Sequence, residues 1–365
     1  MKIKELPRMN IPIKIEINSF FSKNLHKFMF KEELNIAISY TLSLIILDRK
    51  ATIKTISLDS GIKLVDISYY LSENYRYWDI DIILDEDIKQ CENDGLIILD
   101  SFVIAKENTT KSDARNVYSS CQKRVLKGQE YLVMIYVKAE VIRVIGIKKL
   151  ETRPDMINKS IKLLSNYLKY RTIKGVRADS HFFHEQIIYF LRFKEVEFIS
   201  KPRRDSKWGD FQLKEYTTKI NKNSFRYYPK EKLYAKAIIV ESEIYGLCKI
   251  LIVKTKYNNQ EKGVFYVVST NLELSVREIL KGKKQRWQIE VIFRDCSQNL
   301  GLRDCQSTSK GSILMHIFMV FQTYNYLSSL KEKYGGTIGR IKRRICDSNH
   351  IITSVPDILK LKKVC

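Results

Sequence analysis

Three acidic residues, Asp100, Asp179 and Glu290, stand where carboxylate chemistry is expected. Asp100 follows the apolar run GLIIL, and Asp179 follows the strand-like run IKGVRA. Strand ends are where active sites collect in α/β sheets, and two neighbouring carboxylates repel each other unless a cation lies between them. For each aspartate alone, a helix cap or a turn residue is the alternative interpretation. The pair together predicts a cation-binding site.

Glu290 lies in the segment QRWQIEVIFRD, at residues 285–295. On a helix Arg286, Glu290 and Arg294 are four residues apart and share one face, while Trp287 contributes to an apolar face. An exposed, salt-bridged helix face is the alternative interpretation. The segment CSQNLGL, which follows at 296–302, predicts a compact turn after the helix. That turn favours a functional role for Glu290.

The charge of the chain predicts a polyanionic partner. Lys and Arg total 64 against 41 acidic residues, a formal net charge of +23, and the excess is spread along the 365 residues. Such a field attracts nucleic acid or an anionic membrane surface. The most apolar stretches, 40–47 and 313–321, are too short to cross a bilayer, and the N-terminal segment has no signal-peptide pattern. We therefore expect a cytoplasmic, nucleoid-associated protein with DNA and no membrane as partner.

The cysteines and histidines give no metal-ligand pattern. The seven cysteines are scattered and form no CxxC pair, which predicts free thiols in a reducing compartment. His181 and His184 are the nearest approach to a ligand pair, and we interpret them as surface histidines.

The pattern of apolar residues predicts which elements position the three carboxylates. Helices are expected from residue 27 to about 75, and the break at 59–61 fits either a DNA-binding helix-turn-helix or a small helical bundle. Strands are expected at 95–100, 131–137, 141–146 and 173–179, with helices at 154–168 and 184–193. This order indicates a mixed α/β sheet rather than a purely parallel one.

The second half of the chain is predicted to be β-rich and then helical. Strands are expected at 197–200, 235–240, 248–253 and 263–269, and helices from 275 to about 331 with a break near Gly301. The basic run 340–344 is interpreted as part of an exposed tail, with contact to DNA as the alternative. The predicted organisation is a helical region at 1–90, an α/β core at 91–195, a β-rich segment at 196–275, the helical part of the core at 276–332 and a tail at 333–365.

The string RWQIEVIFRD followed by QNLGL resembles the C-terminal signature of insertion-sequence DDE transposases, in which Tyr, Arg, Glu and Lys are separated by two, three and six residues. Arg286 and Glu290 match this signature. Lys283 stands where the family has Tyr, and Ser297 stands where it has Lys. The upstream segments LDSFVIAK (99–106) and RADSHFF (177–183) resemble the two aspartate segments of the family.

The resemblance implies a fold, a site and a reaction. The implied fold is α/β, a ribonuclease-H-like mixed sheet core interrupted by a β-rich insertion and preceded by a helical N-terminal DNA-binding domain. The implied catalytic and metal-holding residues are Asp100, Asp179 and Glu290, with two Mg²⁺ or Mn²⁺ ions. The implied activity is cleavage and strand transfer at the ends of an insertion sequence. The residues expected to contact DNA are Lys106, Lys283, Arg286, Trp287 and Arg294.

The partner implied by the resemblance is double-stranded DNA, both the terminal repeats and the target, with a homodimer in the synaptic complex as a hypothesis. A DNA nuclease with a related carboxylate core is one alternative, and it would not join ends. A second alternative is a decayed copy that binds DNA without cutting it, since Ser101, Lys283 and Ser297 depart from the family pattern. The sequence separation of 111 positions from Asp179 to Glu290, too long for a simple loop, favours the transposase.

Overall fold

The structure of the chain is a computed structural model that describes residues 20, 31–48, 50–77, 80–107, 114–119, 123–202, 206–257 and 263–348. The chain divides into two units. The first unit comprises Met1–Cys91, Ser101–Leu150 and Val291–Cys365. The second unit comprises Glu92–Asp100 and Glu151–Glu290, and it contains all three of the predicted catalytic carboxylates.

A mixed sheet forms the centre of the second unit. Its strands, in spatial order, are β1 (Gly95–Ala105, which continues into the first unit from Ser101), β5 (Ile173–Ala178), β6 (Glu197–Ser200), β12 (Val264–Ser269), β11 (Cys248–Lys254), β10 (Leu233–Val240) and β9 (Arg226–Tyr228). The pairs β1–β5 and β5–β6 are parallel, and the pairs from β6 to β9 are antiparallel. The prediction of a mixed α/β fold is confirmed, and the parallel part is consistent with a ribonuclease-H-like core.

The helices of the second unit lie where the sequence predicts them. Helix α5 (Arg153–Leu168) begins at Thr152, whose hydroxyl accepts from the Asp155 amide, and α6 (Glu185–Phe193) connects the parallel strands β5 and β6. A short pair of strands, β7 (Lys207–Trp208) and β8 (Phe211–Gln212), and helix α7 (Leu213–Lys219) were not predicted. These elements are short and polar, so they carry no clear hydrophobic periodicity.

Helix α8 (Val276–Gln285) packs on one face of the antiparallel part of this sheet. Its Ile279 and Leu280 are buried against residues of β6, β10, β11 and β12, namely Ile199, Ala235, Leu251, Val253 and Val267. Gly282 permits the close approach, because a Cβ there would lie 2.5 Å from Ile199 Cδ1 and 2.9 Å from Arg177 Nε. The C-terminal end of α8 is thus held against β5 and β6.

The first unit combines helices with an antiparallel group of strands. Its helices are α1 (Lys31–Ile46), α2 (Ile53–Ser60), α3 (Leu64–Tyr77), α4 (Ile80–Gln90), most of α9 (Trp287–Asn299), α10 (Lys310–Tyr334) and α11 (Ile338–Ser348). Strand β3 (Arg124–Lys138) pairs with β2 (Arg115–Ser119) and β4 (Val141–Leu150). Gly61 ends α2 with φ 69°, as expected for the break at 59–61. A DNA-binding role for these N-terminal helices stays a prediction, and residues 1–19 lie outside the described residues.

Helix α10 forms the centre of the first unit. Eighteen of its 25 residues are buried, and the Asn325 side chain accepts from the Val144 amide and donates to the Val144 carbonyl. The apolar stretch 313–321 therefore belongs to the protein core. Within the part of the chain that the structure describes, no helix is both long and apolar enough to cross a membrane.

The basic run 340–344 is not an exposed tail, which corrects the interpretation from sequence. It lies in α11, whose Ile338, Ile341 and Ile345 are buried. The ammonium group of Lys342 donates to the carbonyl oxygens of Leu44, Leu47 and Asn299, at the C-terminal ends of α1 and α9. Lysine at helix ends stabilises the last carbonyl groups, so this cation has a structural role. Residues 349–365 lie outside the described residues.

Candidate active site

Asp100 and Asp179 are brought together by the register of two parallel strands. Leu99 of β1 pairs with Ala178 of β5, so the next residues along the two strands are Asp100 and Asp179. Neighbouring strands lie about 4.8 Å apart, and residues at matching register positions face the same side of a sheet. Asp179 follows the end of β5 as predicted, whereas Asp100 lies within β1, because the strand continues through SFVIA to Ala105.

The turn after β5 holds the carboxylate of Asp179. Its Oδ1 accepts from the His181 amide at 2.8 Å, and its Oδ2 lies 3.4 Å from His181 Nδ1. The Asp179 backbone carbonyl accepts from the Ser200 hydroxyl at 2.7 Å, which ties this turn to β6. Burial acts to raise the pKa of Asp179, but the hydrogen bonds and charge of His181 and the charge of Arg286 outweigh it, so the pKa lies below its usual value. Asp179 is therefore held as a carboxylate.

Arg286 joins Asp100 to Glu290. Its Nη1 donates to Asp100 Oδ2 at 2.9 Å, and its Nη2 donates to Glu290 Oε1. Arg286 lies between α8 and α9 rather than inside one helix, and Glu290 is in the first turn of α9. A carboxylate in the first turn is favoured by the helix dipole. One guanidinium thus contacts two of the three predicted carboxylates and acts electrostatically on the third.

The arrangement of the carboxylates in this structure is organised around Arg286. Among the residues that the structure describes, no three His, Cys, Asp or Glu side chains are close enough together to hold an ion. The donor chemistry nevertheless fits a hard divalent cation, because Asp100, Asp179 and Glu290 offer only carboxylate oxygens, and a positive group already lies between two of them. A metal ion would have to replace the guanidinium in contact with Asp100 and Glu290.

Lys283, at the position where the motif has Tyr, lies near Arg286 in the last turn of α8. Its ammonium group is 3.8 Å from the centroid of the Phe265 ring. Partial burial, together with the positive charges of Lys201 and Arg286, lowers the pKa of Lys283. Trp287 follows Arg286 and is 56% exposed. The second unit therefore has positive and aromatic groups beside its carboxylates, as a phosphate-binding surface requires.

The other predicted DNA contacts belong to the first unit. Lys106 is buried and donates to the backbone carbonyl of Cys305, and burial lowers its pKa. This placement corrects the expectation of a surface lysine, because contact with DNA would require Lys106 to leave its carbonyl partner.

Arg294 is exposed on α9, and the Ser101 hydroxyl donates to Glu130. Ser297 lines a cavity of about 420 Å³ together with Lys342.

Two features of this region were not foreseen from the sequence. His181, interpreted as a surface residue, contacts Asp179, and the sequence signal for this was the Asp-Ser-His spacing directly after a strand. Arg177 and Glu197 form a buried ion pair between β5 and β6, which no local sequence pattern predicts because the partners are 20 residues apart. His184, in contrast, is the N-cap residue of α6.

Part of the chain is similar to a known protein family. Residues 151–326, just under half of the chain, match the model of the transposase DDE domain. The resemblance to insertion-sequence DDE transposases is therefore confirmed. The matched segment of the DDE domain includes Asp179, Arg286 and Glu290, whereas Asp100 precedes it. A search of curated proteins found no match to the chain.

Proposed function

We propose that this chain catalyses metal-dependent cleavage and strand transfer at the DNA ends of an insertion sequence. One observation carries the proposal: a single guanidinium is shared by Asp100 and Glu290, and strand register sets Asp179 beside Asp100. Arg286 thus contacts one carboxylate on a strand and one at the start of a helix, and its charge also acts on Asp179, which follows the neighbouring parallel strand. Outside a metal or phosphate site, such a concentration of negative charge has no evident structural use.

Asp100, Asp179 and Glu290 are the residues that would hold Mg²⁺ or Mn²⁺ in this proposal. Carboxylate oxygens suit both ions, with water and the scissile phosphate completing the coordination. Two bound ions would supply activation of the attacking oxygen and stabilisation of the leaving oxygen. The lowered pKa of Asp179 ensures that this ligand is already deprotonated at neutral pH.

Arg286 has a second role in this proposal. A guanidinium can contact two phosphate oxygens at once, and Arg286 is adjacent to the carboxylates that would surround the scissile phosphodiester. If cations occupied Asp100 and Glu290, Arg286 would be available to hold a phosphate next to the cut. Lys283 adds positive charge on the same side of α8. In the proposed reaction, water attacks the phosphodiester at the end of the element and displaces its 3′ oxygen as a hydroxyl. This 3′-hydroxyl then attacks a phosphodiester of target DNA and displaces the 3′ oxygen of the target strand.

The proposal is tested with labelled duplexes that carry the DNA flanking the coding sequence of this chain. The full-length protein is incubated with them in Mg²⁺ or Mn²⁺, together with an unlabelled target plasmid. We expect cut ends and joined products from the wild type, and neither from Asp100→Ala, Asp179→Ala or Glu290→Ala. Full activity in all three variants would show that the carboxylates are assigned wrongly.

The same assay separates the alternatives. Cutting without joining would identify a nuclease with a related carboxylate core. Binding of the duplex without metal-dependent cutting, unaffected by the three substitutions, would identify a decayed copy. Positions 283 and 297 allow a further test in the same assay, because Lys283→Tyr and Ser297→Lys restore the family motif. An increase in joined products from the double variant would show that these two positions limit the activity of this chain.

A further inference from the structure

A surface at the antiparallel end of the second unit combines neighbouring tyrosines with lysines. Tyr227 of β9 pairs in register with Tyr234 of β10, and Tyr234 pairs with Lys254 of β11, so the three side chains share one face of the sheet. Tyr257, three residues beyond β11, extends the row. We call Tyr227, Tyr234 and Tyr257 the tyrosine surface.

The rings of the tyrosine surface form a continuous row. The ring centroids of Tyr227 and Tyr234 are 4.8 Å apart, and those of Tyr234 and Tyr257 are 5.4 Å apart. Tyr227 is 47% exposed and Tyr257 is 37% exposed, although both are large aromatic side chains. The hydroxyl of Tyr257 donates to Asn223 Oδ1 at 2.6 Å, which fixes the orientation of that ring. Aromatic faces at both ends of the row are thus accessible to a ligand.

The surroundings of the tyrosine surface are strongly basic. Residues 221–236 and 249–257 contain eight Lys or Arg residues and a single acidic residue, Glu231. The ammonium of Lys254 lies 4.1 Å from the centroid of the buried Phe225 ring, next to the tyrosine row. Lys254 is itself 2% exposed, and burial, together with the charge of Lys222, lowers its pKa. A polyanion is the partner that this charge complements.

This surface is distinct from the carboxylate site. In the spatial order of the strands, β9 is six places from β1, which corresponds to roughly 25 to 30 Å at about 4.8 Å per strand. Cross-strand aromatic pairs also stabilise edge strands, which would explain contacts between the rings. Such a role does not explain why the two outer rings are exposed amid excess positive charge. Proteins that bind single strands combine these two features, since bases stack on aromatic rings and phosphates pair with cations.

We propose that the tyrosine surface binds single-stranded DNA, with unpaired bases stacking on Tyr227 and Tyr257 and the backbone near the exposed Lys222. A duplex hides its base faces inside the stack, so it would gain only the phosphate contacts. The surface therefore discriminates single strands from duplexes. It acts without metal and independently of Asp100, Asp179 and Glu290.

The test is fluorescence anisotropy with the full-length protein, a labelled oligothymidylate of about 20 nucleotides and a duplex of equal length, at fixed salt and in EDTA. We expect Tyr227→Ala and Tyr257→Ala each to weaken single-strand binding roughly 5- to 100-fold, with a smaller effect on the duplex. Tyr227→Phe and Tyr257→Phe should bind like the wild type. The matched control is Tyr189→Ala, since Tyr189 is 76% exposed elsewhere in the second unit.

Three results would overturn the proposal. One is an equal loss for single strand and duplex, which would indicate a purely electrostatic surface. A second is a loss in Tyr189→Ala as large as that in the tyrosine-surface variants. Binding of anionic vesicles that is lost in the same variants, without a change in oligothymidylate binding, would assign the surface to lipid and also refute it.

A second measurement needs no variant and so does not depend on their folding. Photocrosslinking of wild-type protein to an oligonucleotide with 5-iododeoxyuridine should give adducts at Tyr227 or Tyr257. Adducts confined to peptides outside 221–257 would contradict the proposal. Asp100→Ala should crosslink like the wild type, whatever its cleavage activity, so failure of this proposal is distinguishable from failure of the proposed function.

Discussion

Two arginines in the second unit illustrate opposite ways of placing a guanidinium beside carboxylates. Arg177 pairs with Glu197 across β5 and β6, and only 6% and 13% of the two side chains are exposed. Arg286 contacts both Asp100 and Glu290, with 27% of its side chain exposed. The first pair is balanced and buried, whereas the second group has more carboxylates than cations and can be reached from solvent. The imbalance is what suits the second group to binding further cations.

The largest difference expected between the two arrangements is in catalysis. Asp100→Asn keeps the size of the side chain but removes its charge, so it should reduce cleavage of terminal duplexes at least about 10⁴-fold, or about 5 kcal/mol in activation free energy. Its unfolding midpoint should stay close to that of the wild type. Glu241→Gln, an exposed residue of the same unit, is the control and should retain full activity.

Glu197→Ala should have the largest effect on folding. It leaves the buried guanidinium of Arg177 without its carboxylate, and breaking a buried pair from one side costs about 3 to 5 kcal/mol. Denaturant unfolding should show this loss. A decrease of less than about 1 kcal/mol would mean that the pair is not buried as described and that the contrast with Arg286 fails.

Arg286→Gln should alter the response to metal. If the guanidinium and a divalent cation compete for Asp100 and Glu290, the variant should be less stable than the wild type without metal and more strongly stabilised by Mn²⁺. We expect an additional gain of about 1 kcal/mol, measured as a larger thermal shift at the same Mn²⁺ concentration. A smaller shift in the variant would indicate that Arg286 supports the metal site rather than competing for it.

The smallest effect concerns acid stability. The folded pKa of Asp179 lies below the unfolded value of about 3.8, so its ionisation stabilises the protein above that pH, and the contribution is lost as the pH falls through the folded pKa. Asp179→Asn should therefore show a shallower loss of stability below pH 3.8 than the wild type does. Identical curves for the two proteins would show that His181 and Arg286 do not stabilise the ionised form.

Much of the local structure of the site could be predicted from the sequence. Strand β6 has the predicted bounds, β5 ends one residue before the predicted end, and α6 begins one residue after the predicted start. These elements have apolar runs of clear periodicity and distinct ends. The break near Gly301 is also confirmed, since Gly301 has φ 69° between α9 and α10.

Contacts between distant segments could not be predicted in this way. The register between β1 and β5, and the contact of Arg286 with Asp100 over 186 residues, depend on strand pairing that one segment alone does not encode. Lysine is usually a surface residue. The burial of Lys106 depends on a carbonyl partner 199 residues away in the sequence. For the same reason, α11 was interpreted as a tail, although its isoleucines complete the core of the first unit.

The most direct test of the account is the number of Mn²⁺ ions that the protein binds, measured by electron paramagnetic resonance in the absence of DNA. The account predicts up to two ions for the wild type and for Glu241→Gln, and a loss of at least one ion, with weakened affinity, for Asp100→Asn and Glu290→Gln. Equal stoichiometry and affinity in all four proteins would contradict the assignment of these carboxylates as a metal site.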